Sequence, residues 1–320
     1  MRRVEPTYDS YLAAPKGRVS ADPRDTGFDE AAFRRNTPEA WFLALKGAGG
    51  VRCRRITYGS DGLRVTGFIV EPSTPGRHRA VIFNRGGTQA FGAIRTADLV
   101  EFAGWALDGY VVVASQYRGI DGGEGREEWG GADVHDVLNL AALARSLPSV
   151  DSEALYMYDV SRGGMMTYRA LAAGLRVRAA ATVGAPADLE AGLTHRPEME
   201  EVYRDLMPGY ATRKAEHLRA RSAVHWAESI QTPLLVLHDG ADWRVWPGES
   251  LVLATRLSRV TDDRPRRFAC TSCSPNHDAR PVRGARGAAA PRHDVPGDAR
   301  SLARLRPGDQ PRPVGAQVRP

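Results

Sequence analysis

The chain has 320 residues, of which 42% are hydrophobic and 26% are charged, and it carries a formal net charge of +6. These values are ordinary for a globular protein with a large buried core, and they exclude a largely disordered or membrane-embedded chain. No apolar run approaches the roughly 18 residues of a membrane span, and the N-terminus lacks the apolar core of a signal peptide. We therefore expect a cytoplasmic protein without a membrane partner.

The basic charge is concentrated at the C-terminal end. Residues 269–320 contain nine arginines and four aspartates, which account for +5 of the net +6. No basic patch with interleaved aromatic residues marks the rest of the chain, so nucleic-acid binding is not expected there. The three cysteines, including Cys270 and Cys273, are too few for a disulfide framework or a four-ligand zinc site, and we expect no metal site.

The predicted elements begin after a polar N-terminal extension, residues 1–50, with one expected short helix at 37–45. A turn at 59–62 separates two strands that should form a hairpin. From residue 79 onward, short apolar runs alternate with helical stretches, a pattern typical of α/β proteins with a mostly parallel central sheet flanked by helices. The expected strands are 52–58, 63–70, 80–83, 110–115, 154–158, 179–183 and 233–238, and the expected helices are 97–107, 132–147, 161–173 and 249–257.

Two segments depart from this alternation. Residues 185–230 are polar and helix-prone, which predicts a helical cap inserted over the carboxyl edge of the sheet. Residues 269–320 have no aromatic residue, and 31 of their 52 positions are Arg, Pro, Gly or Ala. Such a segment has too little apolar surface to fold. We expect an α/β domain at 51–268 followed by a tail, which is either natively disordered or translated out of frame from GC-rich codons.

The strongest catalytic signal is Ser161, which follows a predicted buried strand and precedes a predicted helix. Gly163 and Gly164 supply the small neighbours that a nucleophile elbow requires, and the N–H of Arg162 lies at the helix N-terminus, where negative charge is stabilised. Asp159 stands where glycine is usual, and its bulk and charge beside a forming oxyanion predict reduced activity. The alternative is a serine that only caps the helix.

Two further segments place polar groups at the same edge of the sheet. A glycine-rich loop, residues 84–88, follows an early strand and can offer the N–H of Gly87 as a second oxyanion donor. Asp242 follows the last clear strand, in the chain order Ser, Asp, His that an α/β-hydrolase fold uses. Taken alone, Asp242 could be an ordinary solvated turn residue.

These segments resemble the catalytic domain of the prolyl oligopeptidase family of serine peptidases. The similar stretches are VIFNRGG, YRGIDGGEGREEWGGADVHDVLNL, SRGGMMTY and TPLLVLHDGADWRV, in family order between about Val51 and Leu257. The resemblance implies an α/β-hydrolase fold, Ser161 as nucleophile, Asp242 as the acid that orients a histidine, and the N–H groups of Arg162 and Gly87 as the oxyanion hole. It further implies cleavage of small peptide, amide or ester substrates without a cofactor.

The chain order Ser, Asp, His requires the histidine of the triad to follow Asp242. Only His277 and His293 follow Asp242, and His277 is our candidate because 35 residues leave room for a helix, a strand and a loop. Both lie in the abnormal tail, where the expected last strand is only a fragment around 268–270.

Other functions stay open from the sequence. A carboxylesterase or lactone hydrolase could use the same scaffold, because a fold does not determine the substrate. A catalytically impaired or non-catalytic binding protein would fit Asp159 and the tail. Nucleic-acid binding through the arginines of the tail is a third class, and it requires an affinity that falls steeply with salt. The oligomeric state cannot be predicted.

Overall fold

A computed structural model of the chain describes residues 49–259, the backbone of 266–270 and a few positions between residues 30 and 43. Most of the predicted N-terminal extension and nearly all of the tail lie outside these residues. The boundaries predicted at residues 50 and 268 therefore stay predictions, although the last strand continues to Cys270.

The centre of the molecule is a mixed sheet of eight strands in the order β1-β2-β4-β3-β5-β6-β7-β8. β1 and β2 form the predicted hairpin, β2 pairs antiparallel with β4, and every other neighbouring pair is parallel. The strands are β1 Val51–Ser60, β2 Leu63–Pro72, β3 His78–Asn84, β4 Tyr110–Ser115, β5 Val150–Val160, β6 Ala179–Val183, β7 Leu234–His238 and β8 Arg266–Cys270.

Within residues 49–259, seven α-helices connect and cover these strands. They are α1 Thr96–Leu107, α2 Val134–Ser146, α3 Arg162–Ala172, α4 Leu189–His195, α5 Met199–Leu206, α6 Tyr210–Arg221 and α7 Pro247–Ser258, with 3₁₀ turns at Ala223–His225 and Ala227–Ser229. The predicted strand and helix alternation is confirmed, and so is the insertion between β6 and β7, which consists of α4 to α6 and the two turns.

The central strands are continuous apolar runs because helices cover both faces of the sheet. All six residues of β4, YVVVAS, are buried. Val111 and Val113 join the core under α2, α3 and the cap, whereas Val112 and Ala114 pack on the opposite face with Phe102 of α1. This two-sided burial is typical of parallel sheets, whose strands lose the polar alternation of a half-exposed strand.

Candidate active site

Ser161 sits in a strained turn between β5 and α3, at the carboxyl edge of the sheet. Its backbone has φ +56° and ψ −127°, a conformation that a residue with a side chain rarely adopts. The Ser161 N–H donates to the Val183 carbonyl at 2.7 Å, and the Gly164 N–H donates to the Ser161 carbonyl at 2.8 Å. The surrounding structure thus holds strain of the kind that clusters at active sites.

The glycines around Ser161 are required by close backbone approaches. A Cβ on Gly163 would collide with the carbonyl oxygen of Asn84 at the end of β3, and one on Gly164 would collide with the Cβ of Ala185. A Cβ on Gly86 would lie 2.9 Å from the Val160 carbonyl oxygen. Three chain segments therefore meet at the elbow, and only glycine allows them to come this close.

The capping alternative does not describe Ser161. A serine that caps a helix has an extended backbone, and its hydroxyl accepts a hydrogen bond from the first turn. Ser161 has a positive φ, and its side chain makes no capping hydrogen bond to α3. The geometry is instead that of a serine projected from a sharp strand-to-helix turn.

The glycine-rich loop after β3 packs directly against this turn. A Cβ on Gly86 would be 3.3 Å from the Cβ of Ser161, so the two segments are in contact. Gly87 has φ +75°, and a Cβ there would collide with the carbonyl of Phe91. The Gly87 carbonyl accepts a hydrogen bond from the Arg162 guanidinium at 3.1 Å. The two predicted oxyanion residues, Arg162 and Gly87, are therefore brought together.

Asp242 lies in the loop between β7 and α7, close to the strand beside the elbow. Its Oδ1 accepts the N–H groups of Arg244 at 2.8 Å and Val245 at 3.1 Å. A Cβ on Gly184, the residue after β6, would lie 3.1 Å from Asp242 Oδ2. Burial favours the neutral acid, but hydrogen bonds from His238 and from these two N–H groups outweigh it and lower the Asp242 pKa. Asp242 is thus a fixed carboxylate at the expected edge.

His238, at the end of β7, is a supporting residue that the sequence analysis missed. It is fully buried, and its Nε2 lies 2.9 Å from the Val245 carbonyl oxygen and 3.4 Å from Asp242 Oδ2. Its Nδ1 is 2.7 Å from the Ser250 hydroxyl. Nε2 therefore contacts the Asp242 loop, and Nδ1 contacts Ser250 of α7. The spacing of four residues between a strand-end histidine and Asp242 was the available signal.

Asp159 lies beneath the elbow, fully buried between β3, β6 and α3. It is the register partner of Asn84 and Thr182 in the sheet. Neither of its carboxyl oxygens has a hydrogen-bond partner of ordinary geometry. Burial raises the Asp159 pKa well above its ordinary value, and the nearby Thr167 hydroxyl and Val183 backbone offset this only in part. The raised pKa favours the neutral form of the acid and so weakens the negative charge that the sequence places beside the oxyanion.

The predicted triad histidine, His277, lies outside the described residues, as does His293. Among the residues that the structure describes, no cluster of three or more His, Cys, Asp or Glu side chains could hold a metal ion. No helix in the same part of the chain is long and apolar enough to cross a membrane.

Sequence comparisons relate the chain to known peptidases. A sequence profile of the prolyl oligopeptidase family matches residues 97–282, which is more than half of the chain. The chain is 29% identical, over 211 residues, to the uncharacterized peptidase YtmA of Bacillus subtilis (strain 168). That alignment covers 66% of this chain and 81% of YtmA.

Solved structures share the fold. An acylaminoacyl peptidase from Pyrococcus horikoshii aligns with 71% of this chain at 22% identity and a TM-score of 0.59. A puromycin-hydrolyzing peptidase from Mycobacterium tuberculosis aligns with 68% at 24% identity and a TM-score of 0.57. The chain spans only 38% and 35% of these two larger proteins. With the profile match and the elbow at Ser161, the chain belongs to the prolyl oligopeptidase family of serine hydrolases.

Proposed function

We propose that this chain is a peptidase that cleaves peptide bonds, or related amide and ester bonds, through an acyl-enzyme on Ser161. The observation that carries the proposal is the backbone of Ser161, which is strained, uncapped and packed against the glycine-rich loop. A serine that serves only the fold has no need of this conformation, whose cost is about 1–3 kcal/mol. Asp242, which follows β7 two strands away in the sheet, supports the same assignment.

In the proposed mechanism, His277 removes the Ser161 hydroxyl proton while the oxygen attacks the substrate carbonyl carbon. The N–H groups of Arg162 and Gly87 hold the oxyanion of the tetrahedral intermediate. The imidazolium then gives its proton to the leaving amine or alcohol as the scissile bond breaks. A water molecule, deprotonated by the same histidine, releases the acyl group. Asp242 stays ionised because its pKa is lowered, and so it stabilises the imidazolium.

The first test is labelling of the purified chain by a fluorophosphonate probe, which reacts with an activated serine. We expect labelling of the parent chain and none of Ser161→Ala. His277→Ala should label at least about 1000-fold more slowly, because the general base is lost. His293→Ala, the matched control in the same tail, should label at the parent rate. Absence of labelling in a folded parent chain would contradict the proposal, and normal labelling of His277→Ala would remove that residue from the triad.

The substrate class requires a second comparison. The names of the acylaminoacyl and puromycin-hydrolyzing relatives support starting from N-acylated aminoacyl amides and puromycin. Turnover of an aminoacyl naphthylamide that is lost in Ser161→Ala would identify a peptidase. Turnover of a simple nitrophenyl ester alone would favour the carboxylesterase or lactone hydrolase alternative. The cytoplasmic location stays a prediction from the sequence.

A further inference from the structure

Two arginines are buried behind the elbow together with two acids, and the proposed mechanism assigns no role to their side chains. Arg85 and Arg162 are each about 1% exposed. The Arg162 guanidinium lies 2.6 Å from Asp133 Oδ2 and 2.8 Å from Glu127 Oε1, and Arg85 lies 3.4 Å from Glu127 Oε2. Two cations and two anions therefore form a closed cluster, as buried charges require.

The Arg85 guanidinium is directed at backbone carbonyls. It donates to the carbonyls of Gly86 at 3.1 Å and Gln89 at 3.1 Å in the glycine-rich loop. It also donates twice to the Gln116 carbonyl after β4, at 2.8 and 3.0 Å. The fork geometry of arginine allows one side chain to bind several acceptors at fixed angles, which a lysine cannot do.

The Gly86 carbonyl belongs to the peptide unit whose N–H is that of Gly87. The C=O and N–H of a trans peptide point in opposite directions, and no cis peptide occurs among the described residues. Because Arg85 holds this carbonyl toward the buried cluster, the Gly87 N–H points away from the cluster. The next carbonyl, that of Gly87 itself, is held by Arg162 at 3.1 Å.

Glu127 completes the support of the same loop. Its Oε1 accepts the Gln89 N–H at 2.6 Å as well as the Arg162 guanidinium. Successive peptide groups of the loop are thus tied to one charged cluster beneath it. A hydrogen bond to a carbonyl also polarises its peptide and makes the N–H a stronger donor.

We infer that Arg85 is a positioning residue for the oxyanion hole, which directs the Gly87 N–H toward the oxyanion through its hold on the Gly86 carbonyl, with Arg162 and Glu127 in support. The inference rests on the proposed function. It concerns the transition state, because an oxyanion donor matters most when the charge develops.

The test compares Arg85→Lys with the parent chain and with Arg126→Lys as a control. Arg126 lies in the segment next to Glu127 but is exposed, and its contacts are with Asp205 of the cap. We expect Arg85→Lys to lower kcat on a nitrophenyl ester by about 100-fold, as loss of one oxyanion donor does, with KM within about threefold. The pH profile should not move, because the histidine and Asp242 are untouched. Arg126→Lys should keep the parent kcat.

Hydrogen exchange supplies a readout that does not depend on activity. In Arg85→Lys we expect faster amide exchange confined to residues 86–92, with β5 and α3 unchanged. Unchanged exchange or unchanged kcat in a folded Arg85→Lys would overturn the inference. A parent chain without Ser161-dependent turnover would instead count against the proposed function, and exchange in the loop would still decide the role of Arg85.

A second variant decides the question if Arg85→Lys does not fold. Glu127→Gln keeps an acceptor for the Gln89 N–H but removes the charge that anchors both arginines. We expect a smaller effect of the same kind: kcat should fall by about tenfold, and KM and the pH profile should stay as in the parent. Parent-like kcat and exchange in Glu127→Gln would overturn the inference.

Discussion

At the scale of single residues, the environment of Asp159 decides its charge. A carboxyl group beside a nucleophile would oppose an oxyanion if it were ionised. Here the side chain is enclosed by strands and by α3, and the fully buried acid is more stable in its neutral form. Asp159 therefore adds polarity and bulk under the elbow, and its burial disfavours a negative charge there.

This environment predicts a pH dependence of stability. The Asp159 pKa is raised in the folded state, so its contribution to stability is fully present below the unfolded value of about 3.9 and is lost as pH rises toward the folded pKa. Asp159→Asn removes this loss. We expect its free energy of unfolding to improve relative to the parent as pH rises from 5 to 8, by up to about 1.4 kcal/mol per pH unit.

Urea unfolding at several pH values measures this difference. Glu153→Gln, an exposed change on the same strand, is the control and should show a difference from the parent that does not vary with pH. A constant difference between Asp159→Asn and the parent would mean that Asp159 is ionised in the fold.

At the scale of elements, the elbow depends on how closely α3 approaches β3. The first turn of α3 is pressed onto the end of that strand, and a Cβ on Gly163 would meet a backbone carbonyl that cannot rotate away. The tight approach also fixes the direction in which Ser161 projects. The start of the helix and the position of Ser161 are therefore one structural feature.

Gly163→Ala tests this approach. We expect a loss of about 1–3 kcal/mol in the free energy of unfolding, because the backbones must move apart, together with weaker fluorophosphonate labelling. Gly59→Ala is the matched control, since Gly59 lies on β1 with nothing within 4 Å of its Cβ position. Equal urea midpoints for the two variants would show that the elbow can accommodate a Cβ at residue 163 without loss of stability.

At the scale of the whole molecule, the cap and the catalytic edge form one packed unit. Arg221 of α6 is 4% exposed and donates to the carbonyls of Trp129 at 2.7 Å and Glu128 at 3.1 Å. The ring of Tyr203 in α5 packs against Trp129 with centroids 4.9 Å apart. These contacts reach the segment that contains Glu127. The cap therefore contacts the segment that carries Glu127, behind the glycine-rich loop.

Arg221→Ala should be costly for this reason. It leaves the buried Trp129 carbonyl and the partly buried Glu128 carbonyl without their donor, and we expect a loss of about 2 kcal/mol in the free energy of unfolding. Arg219→Ala removes the same charge from an exposed position of the same helix and should stay within about 0.5 kcal/mol of the parent. Chemical denaturation of the two variants measures the contrast, and equal stability would mean that the cap is only loosely attached.

The sequence by itself determined the fold class, the alternation of most elements and the elbow at Ser161. These rest on local signals, such as apolar runs, turn residues and a strand followed directly by small residues and a helix. The proximity of Ser161, Gly87 and the Asp242 loop could be expected as well, because the carboxyl ends of parallel strands share one edge of a sheet.

Only the tertiary structure decided the rest. The burial that raises the pKa of Asp159 depends on packing between strands and a helix that are separate in the chain. The contacts of His238 with Ser250 and of Arg85 with the Gln116 carbonyl likewise depend on how separate elements pack. The hydrophobic pattern of the sequence does not specify which side chain contacts which carbonyl. Burial then sets the protonation state and the strength of each contact, because the cost of an unpaired charge or dipole depends on how completely water is excluded.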